Sequence, residues 1–515
     1  MSSPYNSGVA FLTIIWLLRF ASSINVKPNI LVFLTDDLDV ELGGLEPLQK
    51  TRRWISDHGI HFSNSFVSTP ICCPSRSSTL TGLYQHNTKV FNNSVGGNCN
   101  SQRWQNGPET RTYATELKKA GYVTMYSGKY LNTYGSKASG GLEHVPLGWD
   151  FWSGLVGNSK YYNYTLSING KAEHHGDSYE EDYLTDVIGR KAQSFLSHFQ
   201  SINSTSPFLM VLAPPAPHAP FTPAPQYANH FLNHTAPRTP AFNHKSTGST
   251  QKHWLIQTQP QLMSPEVIAT VDEAFRNRWR TLLSVDDLVD GVLKTLEQFD
   301  RLKDTFVVFT SDHGYHLGQF GLPLDKRQLY DTDLRVPLLV RGPGIHTNTT
   351  KGNVVTNIDL APTLVELGTG HVPVDMDGTS FVQLMMTESN FITPPQPQHS
   401  FLVEYHGEDG AHGVDQQCKA ITDQHMVECE AQFGCKCQDA RNNTFSCVRT
   451  FSQSEDTVYC HFQDDAGFIE MYNLKQDPFQ LHNIASGMTP EVKSIYEEKI
   501  QILKECHGRD ECFQA

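Results

Sequence analysis

Apolar residues in this chain fall into two alternating patterns. Short, near-continuous runs occur at Ile30–Leu34 (ILVFL), Tyr122–Tyr126, Phe208–Leu212 (FLMVL), Phe306–Thr310 (FVVFT) and Val336–Val340 (VPLLV). Runs of this length without a polar face suit strands of a parallel sheet covered on both sides. Between them, apolar residues recur at helical spacing. Val285, Leu288, Val289, Val292, Leu293, Leu296 and Phe299 form one stripe, with Ser284 as its expected N-cap. Leu184, Val187, Ile188 and Phe195 form a second, and Tyr113–Ala120 a third that Gly121 closes. The alternation predicts an α/β fold with a large mixed, mostly parallel sheet sandwiched by helices. The six prolines of Pro214–Pro225 predict an extended loop, and residues 233–264 read as irregular. The polar, proline-bearing stretch Thr387–His399 predicts a boundary between a main domain, 24–390, and a smaller α+β part, 391–515.

The N-terminus reads differently. Gly8–Leu18 is an apolar run of 11 residues followed by Arg19 and by Ala21-Ser22-Ser23, which predicts a signal peptide over 1–23. No Lys or Arg precedes the run, the one departure from that pattern. A bilayer span needs about 20 apolar residues, and no segment reaches that. Sequons at Asn92, Asn163, Asn203, Asn233, Asn348 and Asn442 fit an exported, glycosylated chain. So do the cysteines: eight of the 11 lie between Cys418 and Cys512, a density that predicts disulfides in a cysteine-rich C-terminal part. Cys435-x-Cys437 lacks the paired spacing of a zinc site. The odd total leaves one cysteine for another purpose if the others pair. With 515 residues, 38% hydrophobic and 18% charged, the chain can bury a sizeable core. Its net charge of 40 − 54 = −14 argues against nucleic acid as a partner, though a local cluster of cations can still receive an anionic substrate.

In an open parallel sheet, ligands bind beyond the carboxyl ends of the strands. The predicted strands end there in Asp36 and Asp37, in Lys129, in His218, and in Asp312 and His313. Polar residues are common at any one strand end, but four ends together deliver three carboxylates, two imidazoles and an ammonium. Three carboxylates in one crevice repel each other unless a divalent cation joins them, and oxygen ligands suit Ca²⁺ or Mg²⁺. His313 adds a nitrogen, which keeps zinc or manganese in view.

The most specific motif is Cys72-Cys73-Pro74-Ser75-Arg76-Ser77-Ser78-Thr79-Leu80-Thr81-Gly82, which fits C-x-P-S-R-x-x-x-L-T-G at every fixed position. On it the chain resembles the sulfatase family of the alkaline phosphatase superfamily. The segments GKYLNTYG, GLEHVPLGWDFW, NSKYYNYTLSINGK, LLSVDDLV, DKRQLY and MYNLKQDPFQLHNIA are similar to the branch acting on 6-sulfated N-acetylglucosamine, from about residue 27 onward. The resemblance implies that a formylglycine-generating enzyme oxidises Cys72, which accounts for the odd cysteine. It implies Ca²⁺, with Mg²⁺ the weaker candidate, on Asp36, Asp37, Asp312, His313 and the modified residue 72. It implies that one hydroxyl of the hydrated aldehyde attacks sulfur and the other later loses its proton to release sulfate. Arg76 would steady the diol or a sulfate oxygen, on a helix starting near Ser75, and Lys129, His218 and Lys326 would bind sulfate, with His218 or Lys326 protonating the leaving oxygen.

The implied activity is removal of 6-O-sulfate from N-acetylglucosamine ends of heparan and keratan sulfate in the secretory pathway and lysosome. The sequence leaves oligomeric state open. Two positions depart from the family pattern: His313 stands where the aminosugar branch has Asn, and Lys129-Tyr130-Leu131-Asn132 lacks the histidine of G-K-W-H, so Asn132 is expected to supply a hydrogen-bonding group instead. Loops Gly141–Trp152 and Glu404–Asp409 are expected to set specificity. The competing readings are an extracellular heparan endosulfatase, another carbohydrate or aryl sulfatase, and a glycan-binding pseudosulfatase in which Cys72 stays a thiol.

Overall fold

The structure, a computed structural model, describes residues 27–202, 204–248, 250–386, 399–408, 418 and 426–513. The expected signal peptide, the sequon at Asn203 and the expected boundary at 390/391 lie outside the described residues.

The core is a ten-stranded sheet. Its strands are β1 (Asn29–Thr35), β2 (Ile60–Phe66), β3 (Val123–Lys129), β4 (Phe151–Leu155), β5 (Thr165–Ile168), β6 (Lys171–His174), β7 (Phe208–Ala213), β8 (Thr305–Ser311), β9 (Leu338–Arg341) and β10 (Thr349–Thr356), in the order β10-β2-β9-β8-β1-β7-β3-β4-β5-β6. The five central strands β8-β1-β7-β3-β4 are parallel. Along β1, side chains alternate between two cores, as a strand's period of two requires. Ile30, Val32 and Leu34 pack with helices α1 (Cys72–Thr81), α2 (Tyr113–Lys119) and α5 (Leu360–Thr369) on one face. Leu31 and Phe33 pack with α3 (Leu184–Ser201) and α4 (Pro265–Gln298) on the other. Each fully buried aliphatic or aromatic side chain stabilises by about 1.5–3 kcal/mol, which is why β1, buried along its whole length, tolerates no polar face.

Two expectations need correction. Val336–Val340 contains a strand, but β9 runs antiparallel to both β8 and β2. Ser284 does not start a helix: it is buried midway along α4, whose N-cap is Ser264, with its side chain accepting from the Val267 amide. Pro214–Pro225 and 233–264 contain no strand and only one short turn of helix, Pro225–Tyr227, among the described residues. No helix among the described residues is long and apolar enough to cross a membrane.

A second, antiparallel sheet follows: β11 (His399–Tyr405), β12 (Phe445–Phe451), β13 (Asp456–Phe462) and β14 (Ile469–Asn473). One face, with Phe401, Val403 and Phe445, packs on Phe66, Leu329 and Tyr330 of the larger unit. The other, with Leu402, Val448 and Tyr459, packs under helix α6 (Pro490–Glu505) through Tyr496, Ile500 and Leu503. Ten cysteines pair as Cys73–Cys99, Cys418–Cys437, Cys429–Cys435, Cys447–Cys460 and Cys506–Cys512, so Cys435 and Cys437 hold no zinc. Cys72 is left as a buried free thiol. Of the described sequon residues, Asn163, Asn233 and Asn348 are exposed, and Asn92 and Asn442 half-buried.

A histidine joins the two units. His86 Nδ1 lies 2.7 Å from Glu404 Oε2, and its Nε2 lies 3.3 Å from the Cys506 carbonyl. Burial opposes the imidazolium, but Glu404 outweighs it and raises the His86 pKa above its ordinary 6.5. A raised folded pKa adds stability that is full below the unfolded value and lost as pH climbs through the folded one. His86→Gln, which keeps a donor but cannot titrate, is therefore expected to cost about 1 kcal/mol more at pH 5 than at pH 8. Thermal melts at the two pH values check this, and equal losses would contradict it.

Candidate active site

The carboxyl ends of the central strands converge on one point. β1 ends in Asp36 and Asp37, and β8 in Asp312 and His313. The Asp312 amide donates to the Thr35 carbonyl at 3.2 Å, so the two pairs lie side by side. The Asp37 amide donates to Asp312 Oδ1 at 3.0 Å. Asp37 adopts the left-handed region (φ 67°), uncommon outside glycine and often met at functional sites. Between the strand ends stands the N-terminus of α1. That helix begins at Cys72 itself, three residues before the expected start, and closes on Gly82 in the left-handed conformation. Cys72 thus occupies the first helical position, where the helix dipole favours an anion, while the next amide, that of Cys73, donates to Asn93 Oδ1 at 2.9 Å.

Cations surround the carboxylates. Lys129 Nζ, at the end of β3, lies 2.9 and 2.8 Å from the two Asp36 oxygens and is fully buried. Lys326 Nζ lies 3.0 Å from both Asp37 oxygens. Arg76, one turn along α1 from Cys72, donates through Nε to Asp312 Oδ2 and through Nη1 to the Lys129 carbonyl, both at 2.8 Å. Its Nη2, 3.5 Å from Asp36 Oδ1, is buried without a hydrogen-bond partner. His218, from the loop after β7, places Nε2 4.0 Å from Asp37 Oδ2, while its Nδ1 lies 2.6 Å from the Ala219 carbonyl. His313 Nε2 lies 3.3 Å from Cys72 Sγ and 3.5 Å from Asp37 Oδ1. Its Nδ1 lies 2.9 Å from the Gly314 carbonyl. A carbonyl only accepts, so Nδ1 carries a hydrogen and Nε2 is turned to the site.

The charges perturb one another. Burial by itself would raise all three carboxyls. At Asp36, Lys129, His218 and Arg76 outweigh it; at Asp37, Lys326, His218 and His313 do, so both stay well below the ordinary carboxylate range. At Asp312 burial wins and the carboxyl is pushed up to about 6. Burial would also raise the Cys72 thiol, but Lys129, Lys326 and His313 hold it well below its ordinary range. Burial pulls His313 down, yet Asp312 and Cys72 bring it up to about 9.

All nine sequence-derived positions therefore meet here: Asp36, Asp37, Cys72, Arg76, Lys129, His218, Asp312, His313 and Lys326. Single ligand atoms of Asp36, Cys72, Asp312 and His313 lie within 4.8 Å of one another, as do those of Asp36, Asp37, Cys72 and His218. Three buried carboxylates with one imidazole fit a divalent cation, which would neutralise what the lysines and Arg76 now balance.

The site opens into a cavity of about 810 Å³. Its lining includes the neutral polar side chains of Asn93, Asn132, Ser136 and Asn158 and the charged ones of Asp325, Arg327, Glu408 and Glu428. Asn132 is among the residues lining the cavity. Of the two loops expected to set specificity, Glu408 of Glu404–Asp409 lines the cavity, whereas Asp409 lies outside the described residues. None of Gly141–Trp152 lines it, and Trp152 is buried against Tyr126, Tyr130 and Tyr134.

Sequence reasoning missed three supporting side chains. Ser159 Oγ donates to Asp36 Oδ2. Ser75 Oγ donates to the Asp312 carbonyl, tying α1 to β8. Tyr315 forms part of the cavity wall, with its ring centroid 5.7 Å from Lys326 Nζ. Ser159 and Tyr315 sit within NSKYYNY and DHGY, and nothing in their spacing marks them.

The Sulfatase family profile matches residues 28–371, and that of the N-sulphoglucosamine sulphohydrolase C-terminal region matches 318–427. The chain is 47% identical over 484 residues to N-acetylglucosamine-6-sulfatase from Homo sapiens, covering 94% of this chain and 85% of that protein. It is 42% identical to an extracellular sulfatase SULF-1 homolog of Drosophila melanogaster, over 74% of this chain but 33% of that protein. In fold it is similar to a solved structure in complex with its substrate D-glucosamine-2-N,6-O-disulfate (TM-score 0.70, 23% identity, 92% of this chain and 97% of that one). With the profile match spanning more than half its length, and the signature cysteine at the meeting point of the strand ends, the chain belongs to the sulfatase family.

Proposed function

We propose that this protein is a sulfuric ester hydrolase that removes 6-O-sulfate from N-acetylglucosamine ends of heparan and keratan sulfate. The observation that carries the reading is Cys72: the one unpaired cysteine among the described residues, at a helix N-terminus, ringed by Arg76, Lys129, Lys326, His218 and His313. The identity to N-acetylglucosamine-6-sulfatase supports the choice of sugar.

Converted to formylglycine by a maturation enzyme and hydrated, residue 72 supplies the oxygen nucleophile, and Ca²⁺ held by Asp36, Asp37, Asp312 and His313 supplies the charge compensation. The chain's own side chains do the rest. Arg76, with an unused buried N–H group, steadies residue 72 or a sulfate oxygen. Lys129 and Lys326 place their ammonium groups on sulfate oxygens, where negative charge must be held as the ester bond breaks. His218 faces the cavity and gives a proton to the leaving sugar oxygen. The side-chain amides of Asn132 and Asn158 in the cavity lining are suited to hydroxyl and acetamido groups.

We further take 24–390 as the catalytic domain and 391–515 as its C-terminal subdomain, since the ten strands of the large sheet precede that division and the four of the small sheet follow it. Five disulfides and exposed sequons support maturation in the secretory pathway, with glycans on Asn92, Asn163, Asn203, Asn233, Asn348 and Asn442 and delivery to the lysosome.

Sulfate release from 6-, 2- and 4-sulfated monosaccharides at acidic pH tests the reading. The 6-sulfated N-acetylglucosamine is expected to be turned over and the others not. Chelation should stop turnover and lower the melting temperature, and excess Ca²⁺ should restore both, because a ligand at 100 times its Kd stabilises by about 2.7 kcal/mol. Turnover unaffected by chelation would reject the metal, and release from internal positions of intact heparan sulfate would favour an endosulfatase.

A further inference from the structure

Arg278 stands outside the cavity, on α4, yet touches three of the segments that build the site. Its side chain is only 3% exposed. Nη2 donates to the Asp37 carbonyl and to Asp39 Oδ1, both at 2.8 Å. Nη1 donates to the Pro217 carbonyl at 3.4 Å, one residue before His218. The guanidinium lies 4.1 Å from the ring centroid of Tyr315, two residues after His313. Asp39 in turn accepts from the Leu42 amide at 2.8 Å, which closes the turn after β1.

We propose that Arg278 is the positioning residue that clamps Asp37, the His218 loop and the segment after His313 in register, so that it sets metal affinity and turnover without touching substrate. The proposal rests on the sulfatase reading of the site. Asp37 holds a left-handed backbone, a conformation that persists only when its surroundings over-determine it. Its carboxylate is held by Lys326 from one side and its carbonyl by Arg278 from the other. Only a planar guanidinium can meet three acceptors in a fork and stack on an aromatic face at once; a lysine ammonium is a point charge on a flexible stem.

Removing Arg278 alone would leave Asp39 buried and unpaired, which confounds positioning with folding. The informative variant is therefore R278Q/D39N, which deletes both charges and the clamp together. In the full chain its melting temperature should stay near wild type. Its Ca²⁺ dissociation constant, measured by calorimetry with Ca²⁺ alone, should rise about 10–100-fold, as for other partners that orient metal ligands. kcat on N-acetylglucosamine 6-sulfate should fall by a similar factor while KM stays within about threefold. Wild-type Ca²⁺ affinity in the double variant, or a loss confined to KM, overturns the proposal, as does a wild-type chain that binds no divalent cation. If the double variant does not fold, R278K carries the same readouts and the same outcomes. Calorimetry needs no sulfate ester, so a chain without sulfatase activity whose Ca²⁺ binding weakens in the variant rejects the function and retains the clamp.

Discussion

Cys72→Ala is expected to abolish sulfate release, by about 10⁴-fold or more in kcat, while the chain still folds. The two halves of that expectation have separate causes. Cys72 makes no disulfide, unlike its neighbour Cys73, so its loss opens no loop. Its sulfur lies 3.3 Å from His313 Nε2 and anchors no loop or strand. Deleting one buried sulfur costs about 1 kcal/mol, within the range of small core truncations. Under the proposed mechanism activity has no such reserve, because the other groups around residue 72 are assigned to bind, orient or carry protons, and none is an alternative nucleophile. Cys72→Ser sharpens the test. A serine oxygen can attack sulfur once but has no second hydroxyl with which to expel sulfate, so one equivalent of sugar should appear per chain and turnover should then stop. Mass analysis of the peptide spanning residue 72 should find the aldehyde or its hydrate in the wild type. Sustained turnover by Cys72→Ala, or an unaltered thiol in an active preparation, would reject the nucleophile.

The parts of this site that were legible in the sequence are those fixed by backbone topology. A strand buried on both faces must be apolar throughout, so Asn29–Thr35 and Thr305–Ser311 announce themselves, and the first charged residues past them are at the sheet's carboxyl edge. Strand direction was not legible, since β9 is as apolar as the parallel central strands yet runs the other way. Neither was the first half of α4. Its buried face there carries Arg278 and Arg280, which meet Asp39 and Glu273 rather than apolar groups, and they interrupt the stripe that reappears at Val285. The supporting side chains were hidden for a related reason. Ser159 reaches Asp36 across 123 residues and Arg278 reaches the Asp37 carbonyl across 241, pairings that no local spacing encodes. A signature motif marks the reacting atom; the residues that hold its neighbours in place are chosen by tertiary contact.

For the proposed reaction, His218 and Lys326 are the two candidates for the proton donor. Burial disfavours the Lys326 ammonium, but Asp37 and residue 72 hold its pKa well above the ordinary lysine value, so it stays a fixed cation and a weak acid. His218 is placed differently. Its Nδ1 is engaged with the Ala219 carbonyl, and the Tyr161 hydroxyl donates to its own carbonyl at 2.8 Å, so the ring is held with Nε2 towards the cavity. The two roles separate on the leaving group. A sugar alcohol is a poor leaving group and needs a proton as the ester bond breaks, whereas an acidic phenol leaves without one. His218→Ala is therefore expected to lower kcat on N-acetylglucosamine 6-sulfate by about 10²–10⁴-fold and on an aryl sulfate by about tenfold or less. Lys326→Ala removes charge stabilisation that both reactions need, so it should cost about 10²–10³-fold on either substrate. Measuring kcat for both variants on both substrates at pH 5 gives the four values required. A leaving-group-dependent loss at Lys326 and a uniform one at His218 would exchange the assignments.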